Sequence, residues 1–157
     1  MNVSHAQDLA EQLIAKHLHH PTHPWKFRWN KRKRSAGLCS CGRRTIELSI
    51  VLTSYASEEE VRDTILHEIA HGLTPGHHHD YVWQAKAKEI GADGKRCYSE
   101  ETKPEMALAH KEISKYKAVC KNGHEHYKNK MSRRNHSCGQ CSRTFNPNEV
   151  LVWTLNR

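Results

Sequence analysis

His67, Glu68 and His71 form an H-E-x-x-H stretch, and these residue types at this spacing point to metal-assisted hydrolysis. Around them Val61, Ile65, Leu66, Ile69 and Ala70 recur at helical intervals, so both histidines leave one face of one helix. Two imidazoles one turn apart can hold a single divalent ion. Zinc accepts nitrogen ligands in tetrahedral geometry, and a catalytic zinc takes a third protein ligand while keeping its fourth position for water. Glu68, beside the first histidine, is then placed to act as general base on that water. A second constellation lies further on, Cys120-x-x-Gly123-His124 followed by Cys138-x-x-Cys141. A C-x-x-C turn after a Cys/His knuckle is the layout of a zinc ribbon, in which the metal replaces a core that so few residues cannot build. Four protein ligands leave no open position, so this second zinc is expected to be structural. His126 and His136 are the alternatives to His124.

The elements that must position the first site can be read outward from it. Ser57 and Glu60 form a capping box at the start of the metal helix. Gly72, Pro75 and Gly76 break that helix just after His71, which lets the chain double back and offer His77, His78 or His79 as the third ligand. Upstream, Ser4 to Leu18 reads as an amphipathic helix, with Ala6, Leu9, Ala10 and Leu13 on its stripe. Trp25, Phe27 and Trp29 alternate as a strand. A basic turn, Lys31-Arg32-Lys33-Arg34, leads to Cys39 and Cys41, whose single-residue separation is poor for one zinc and marks them as structural thiols. Ile46, Leu48, Ile50 and Leu52 predict a second strand, paired with the first and lying beside the metal helix as the edge that would receive a substrate strand. Tyr81 to Ile90 predicts a third helix burying Val82, Trp83, Ala87 and Ile90, with Gly91 as its stop. Asp93 has no readable role. Residues 99–116 form a polar linker, partly helical from Glu105 to Lys111. Val150, Val152, Trp153 and Leu155 are expected to complete the ribbon or to dock it on the main domain.

His77 lies six residues past His71, as in the metzincins, but Thr74 stands where that pattern needs glycine. The segment instead resembles the SprT-like (Spartan-like) metalloproteases, whose third ligand histidine sits in a Gly-His-rich stretch four residues before a large aromatic; His79 and Trp83 match that offset. The N-terminal helix, the W-x-F strand, the Gly-Cys turn, the I-x-L-S strand and the Glu-rich helix start agree with the same family over about residues 1–98. The resemblance implies an α+β fold: a minimal zincin-like domain of helices on a small antiparallel sheet (residues 1–98), the linker (99–116) and a β zinc ribbon (117–157). It also implies a catalytic zinc on His67, His71 and His79. The zinc polarises the scissile carbonyl and acidifies water, while Glu68 takes the water proton and hands it to the leaving amine. Tyr81 and Tyr98 are the candidates for stabilising the oxyanion, and the likeness of Gly94 to Tyr98 to the family's segment after the third helix implies a buried, non-catalytic Cys97. The implied substrate is protein bound or crosslinked to DNA.

Composition sets the outer limits. A chain of 157 residues is one domain with a small appendage. No apolar run approaches a membrane span, and the first eight residues lack the layout of a signal peptide. A cytosolic location is therefore expected, where six cysteines call for metal rather than disulfides. The formal charge of +8 favours a polyanionic partner such as DNA, bound without sequence preference. Lys31, Arg32, Lys33 and Arg34 are the candidate contacts, with Lys128, Lys130, Arg133, Arg134 and Arg143 crowding the C-terminal region. A rival reading from another class is a nucleic-acid-binding zinc protein whose H-E-x-x-H metal is structural or vestigial. Glu68 argues against it, since a structural site needs no carboxylate there.

Overall fold

The structure is a computed structural model that describes residues 1–96 and 103–156. It divides into two compact units, Met1–Ala109 and His110–Arg157. The first contains α1 (Val3–His17), β1 (Lys26–Asn30), β2 (Gly37–Ser40), β3 (Thr45–Ser49), α2 (Ile50–Tyr55), α3 (Glu58–Leu73), α4 (Tyr81–Glu89) and the start of α5 (Pro104–Ile113). The second holds β4 (Tyr116–Val119), β5 (Glu125–Lys128), a 3-10 turn at Pro147–Glu149 and β6 (Thr154–Leu155). Among the described residues no helix is long and apolar enough to cross a membrane.

The sheet of the first unit has the order β1-β3-β2 and is mixed rather than antiparallel throughout. β2 and β3 form an antiparallel hairpin, while β1 runs parallel to β3 with Phe27 opposite Ile46 and Trp29 opposite Leu48. The stretch 31–36 therefore crosses the end of β3 to reach the far side of the sheet. It is tied there by the Ser49 hydroxyl, which donates to the Arg32 carbonyl, and by the Ser49 N–H, 2.7 Å from the Ala36 carbonyl. This crossover corrects two expectations. β3 is the central strand, so the edge beside the metal helix is β2. The apolar alternation from Ile46 also ends at Ser49, because the Ser49 side chain accepts the Leu52 N–H and starts α2 in place of further strand. The i, i+2 pattern of Ile46, Leu48, Ile50 and Leu52 is that of a strand, and the Ser49 cap overrides it from Ile50 on.

Ser57 and Glu60 form a capping box at the start of α3, with Ser57 Oγ 3.2 Å from the Glu60 nitrogen and Glu60 Oε2 3.1 Å from the Ser57 nitrogen. The other Glu60 oxygen accepts from the Glu105 nitrogen at 3.1 Å, so one carboxyl serves the unsatisfied donors of two helix starts. Helix α5 thus occupies much of the stretch expected as linker, and its first half, with Met106 and Ala109 buried, belongs to the first unit. In α4 the buried stripe narrows to Trp83 and Ala87.

In the second unit the sheet order is β5-β4-β6, antiparallel throughout. Its core is Ala118, Cys120, Cys138 and Leu151, with Cys141 and Trp153 against it. Leu151 fills the place expected for its neighbours. Val152 and Leu155 are largely exposed and Val150 forms only an isolated bridge with Ser137.

Candidate active site and metal centres

Helix α3 carries His67 and His71 on one face, and the loop after it brings His79 to them. The Nε2 atoms of His67 and His79 stand 3.0 Å apart, as do those of His71 and His79. The loop achieves this with His79 at φ 59°, the left-handed region that non-glycine residues seldom enter. Asp80 then fixes the exit by capping α4 through the nitrogens of Val82 and Trp83, both 3.0 Å from Oδ1. Trp83, fully buried, packs its indole against all three imidazoles at centroid distances of 4.6, 5.1 and 4.6 Å for His67, His71 and His79. Burial lowers the pKa of His67 to about 3 and of His71 to about 4. The rings are therefore neutral near pH 7, with lone pairs free to ligate. Three neutral imidazole nitrogens converging on one point fit zinc with an open fourth position. His77 turns away, its Nδ1 2.7 Å from Asp80 Oδ2.

Glu68 is buried between α3 and β2. Its carboxyl accepts the backbone N–H of Cys39, and burial raises its pKa to about 7 against the lowering effects of that bond and of Lys103. Gly37 makes the position possible, since a β-carbon there would lie 2.6 Å from Glu68 Cγ. Further along the same strand the Cys39 and Cys41 thiols are 3.8 Å apart, with Cys41 Sγ 3.6 Å from the His71 carbonyl. Burial and the neighbouring Cys41 push the Cys39 thiol far up, keeping it neutral.

These groups line a cleft of about 510 Å³ along α3. Sequence reading missed part of its wall. Lys103, placed in a polar linker, is buried in the cleft with Nζ 2.7 Å from Asp63 Oδ2 and 3.1 Å from Thr64 Oγ1. Asp63 Oδ1 accepts the Asp93 N–H at 2.7 Å, which ties the 93–96 stretch to the same place. The helical offset of Asp63 and Thr64 from His67 was the one signal available. Of the basic turn only Arg34 lines the cleft; Lys31, Arg32 and Lys33 are exposed on the crossover. Tyr81 is 79% exposed and lies outside the cleft wall. Tyr98 and Cys97 lie outside the described residues.

In the second unit Cys120, His124, Cys138 and Cys141 converge. His124 Nδ1 lies 3.5, 3.5 and 3.3 Å from the sulfurs of Cys120, Cys138 and Cys141, and Cys120 and Cys141 are 3.7 Å apart. The knuckle closes through Gly123 at φ 82°, whose N–H is 2.9 Å from the Cys120 carbonyl. Three thiols and one imidazole fit a closed tetrahedral zinc site. His126 stands outside this set, its Nε2 3.2 Å from Cys138 Sγ, as an outer partner to that sulfur. His136 is not in the group. Nearby Lys128 Nζ lies 3.5 Å over the Trp153 ring.

Three converging imidazoles, a buried carboxyl between helix and strand, and an open cleft beside them make the first unit a zinc metalloprotease-like domain. The chain belongs to the SprT-like family, whose profile matches residues 6–110, from α1 into α5 and across every residue of the cleft. Comparison with curated proteins and with solved structures returned no match.

Proposed function

We propose that the first unit is a zinc endopeptidase acting on proteins bound or crosslinked to DNA, with the second unit as a structural zinc ribbon. The observation that carries the enzymatic part is the convergence of His67, His71 and His79 beside the buried carboxyl of Glu68. A zinc ion on the three histidines supplies a Lewis acid for a carbonyl oxygen and acidifies water near neutral pH. Glu68 takes the proton of the attacking water and delivers it to the amine that leaves. Burial raises the carboxyl's pKa in the metal-free protein, a direction that favours a group able both to take a proton and to give it back. The Cys39 N–H and the bare face of Gly37 hold the carboxyl in place. β2, an edge of its sheet, offers main-chain hydrogen bonds to an extended substrate, so recognition depends little on sequence. Nucleic-acid binding is supported by the net charge and by the exposed Lys31, Arg32 and Lys33.

The test is cleavage of a basic DNA-binding protein by the zinc-loaded enzyme with and without DNA, beside Glu68→Gln. The expected result is DNA-stimulated fragmentation that slows about 10²- to 10⁴-fold in the variant. DNA affinity should fall with salt at a log-log slope of about −0.9 per phosphate neutralised on duplex, or about −0.7 on single strands. Neutralising Lys31, Arg32 and Lys33 should flatten that slope. DNA binding without cleavage would instead support a nucleic-acid-binding zinc protein with a non-catalytic first site.

A further inference from the structure

The wall of the cleft carries cations beyond those the chemistry at Glu68 uses. Thr64 lies four residues before Glu68, one helical turn toward the start of α3. There Lys103 reaches in with a side chain only 9% exposed. Its Nζ donates to Thr64 Oγ1 and is ion-paired with Asp63 Oδ2, which leaves donor capacity on the ammonium. Arg34 enters from the crossover between β1 and β2, and Lys95 and Arg96 from the stretch that Asp63 anchors through Asp93. None of these three has an ionic partner among the described residues. Against the four cations stand three carboxyl groups: Asp63 paired with Lys103, Asp93 accepting the backbone N–H of Lys95 at 2.7 Å, and Glu68, whose pKa is held raised by burial.

We propose that Lys103, Arg34 and Arg96 form a side-chain subsite of the peptidase that takes an aspartate or glutamate flanking the scissile bond. The inference rests on the proteolytic reading and adds a substrate class to it. A helical turn is about 5.4 Å, the reach of one side chain away from the reacting carbonyl. A carboxylate on a flexible stem can meet the Lys103 ammonium and a guanidinium of Arg34 or Arg96, which line the same cleft. A buried ammonium in the wall of a peptide cleft is poorly placed for duplex phosphates, whereas an exposed cluster such as Lys31 to Lys33 suits them. Without a substrate carboxylate the buried Lys103 ammonium keeps only Asp63 and Thr64 as partners, and that difference produces discrimination.

The experiment uses three peptides that differ only in Glu, Gln or Lys at the flanking position, chosen by first mapping cleavage in a mixed peptide library. For the zinc-loaded wild type, kcat/KM for the Glu peptide should exceed that for the Lys peptide by about tenfold or more. In Arg34→Glu/Arg96→Glu, whose changes lie on exposed loop positions, the ratio should invert. In Lys103→Met it should shrink, and Asp63→Asn/Lys103→Met covers the case in which the single change leaves Asp63 unpaired and the fold weakened. A second readout is equilibrium binding of a phosphinic peptide carrying Glu or Lys at the same position, which should show the same order. Equal cleavage of the three peptides, or a ratio unmoved by the double arginine variant, would overturn the subsite. Competitive inhibition of the Glu peptide by an oligothymidylate in the wild type but not in the arginine variant would assign these cations to nucleic acid and overturn it too. No hydrolysis of any peptide by the wild type would overturn the proteolytic reading, and the subsite with it.

Discussion

Gly37 and Glu68 occupy space that only a missing side chain makes available: a β-carbon on Gly37 would stand 2.6 Å from Glu68 Cγ and 2.7 Å from its Oε1. The strand that binds the carboxyl through the Cys39 N–H also lets it approach through the absence of an atom two residues earlier.

Gly37→Ala should therefore keep zinc and fold while moving the Glu68 carboxyl. A misplacement near 1 Å costs on the order of 10²-fold in rate, and overpacking costs about 1–3 kcal/mol. Peptide hydrolysis together with metal analysis and a thermal melt checks this. Wild-type turnover in a folded, zinc-loaded Gly37→Ala would mean that the Glu68 position is not critical.

The buried carboxyl also links stability to pH in metal-free protein. The folded pKa of Glu68 is raised from 4.5 to about 7 by burial, so folding favours its protonated form. That contribution is fully present below 4.5 and is lost as pH rises through 7. Glu68→Gln removes the titration. After chelation the variant should be more stable than wild type at pH 8, by up to about 3 kcal/mol, with the gap narrowing toward pH 5. Urea unfolding at the two pH values measures it, and a gap independent of pH would show that the carboxyl is ionised in the fold throughout.

The two histidines that compete for the third ligand position are separated by geometry. His79 Nε2 meets both α3 imidazoles, whereas His77 is held by Asp80. Loss of a ligand weakens zinc far more than loss of an outer contact, so His79→Ala should empty the first site under a mild chelator that leaves His77→Ala loaded. Equal retention in both variants would remove His79 from the ligand set.

Two separate donor groups predict two zinc ions per chain. Cys138→Ser should lower the count from two to one and loosen the second unit, whose small core contains Cys138 itself. Peptide hydrolysis by the first unit should persist. A count of one in fully loaded wild type would refute the ribbon site.

Local spacing carried much of this protein. Four-residue separation alone puts His67 and His71 on one helix face, and Ser57 with Glu60 marks where that helix begins. Cys138 and Cys141 are likewise close in sequence, as are Cys120 and His124, so two short turns form each pair, while the meeting of the pairs is left to the fold of the second unit. Within each pair the atoms are brought together by a few covalent links, so residue type and interval suffice.

Long-range pairing was beyond that reach. The parallel match of β1 to β3, and hence β2 as the edge beside Glu68, depends on how the 31–36 crossover returns to the sheet. The requirement for glycine at position 37 appears only when that edge meets α3. Ile50 and Leu52 continue a strand alternation, and only the Ser49 cap turns that stretch into a helix. Lys103 read as one charge in a polar stretch, because its partners Asp63 and Thr64 lie about forty residues back and become neighbours only when α5 docks by its start at Glu60. A side chain's immediate sequence reports its local conformation, whereas its burial and its partners are set by which distant surfaces pack together, and those were decided by the tertiary structure.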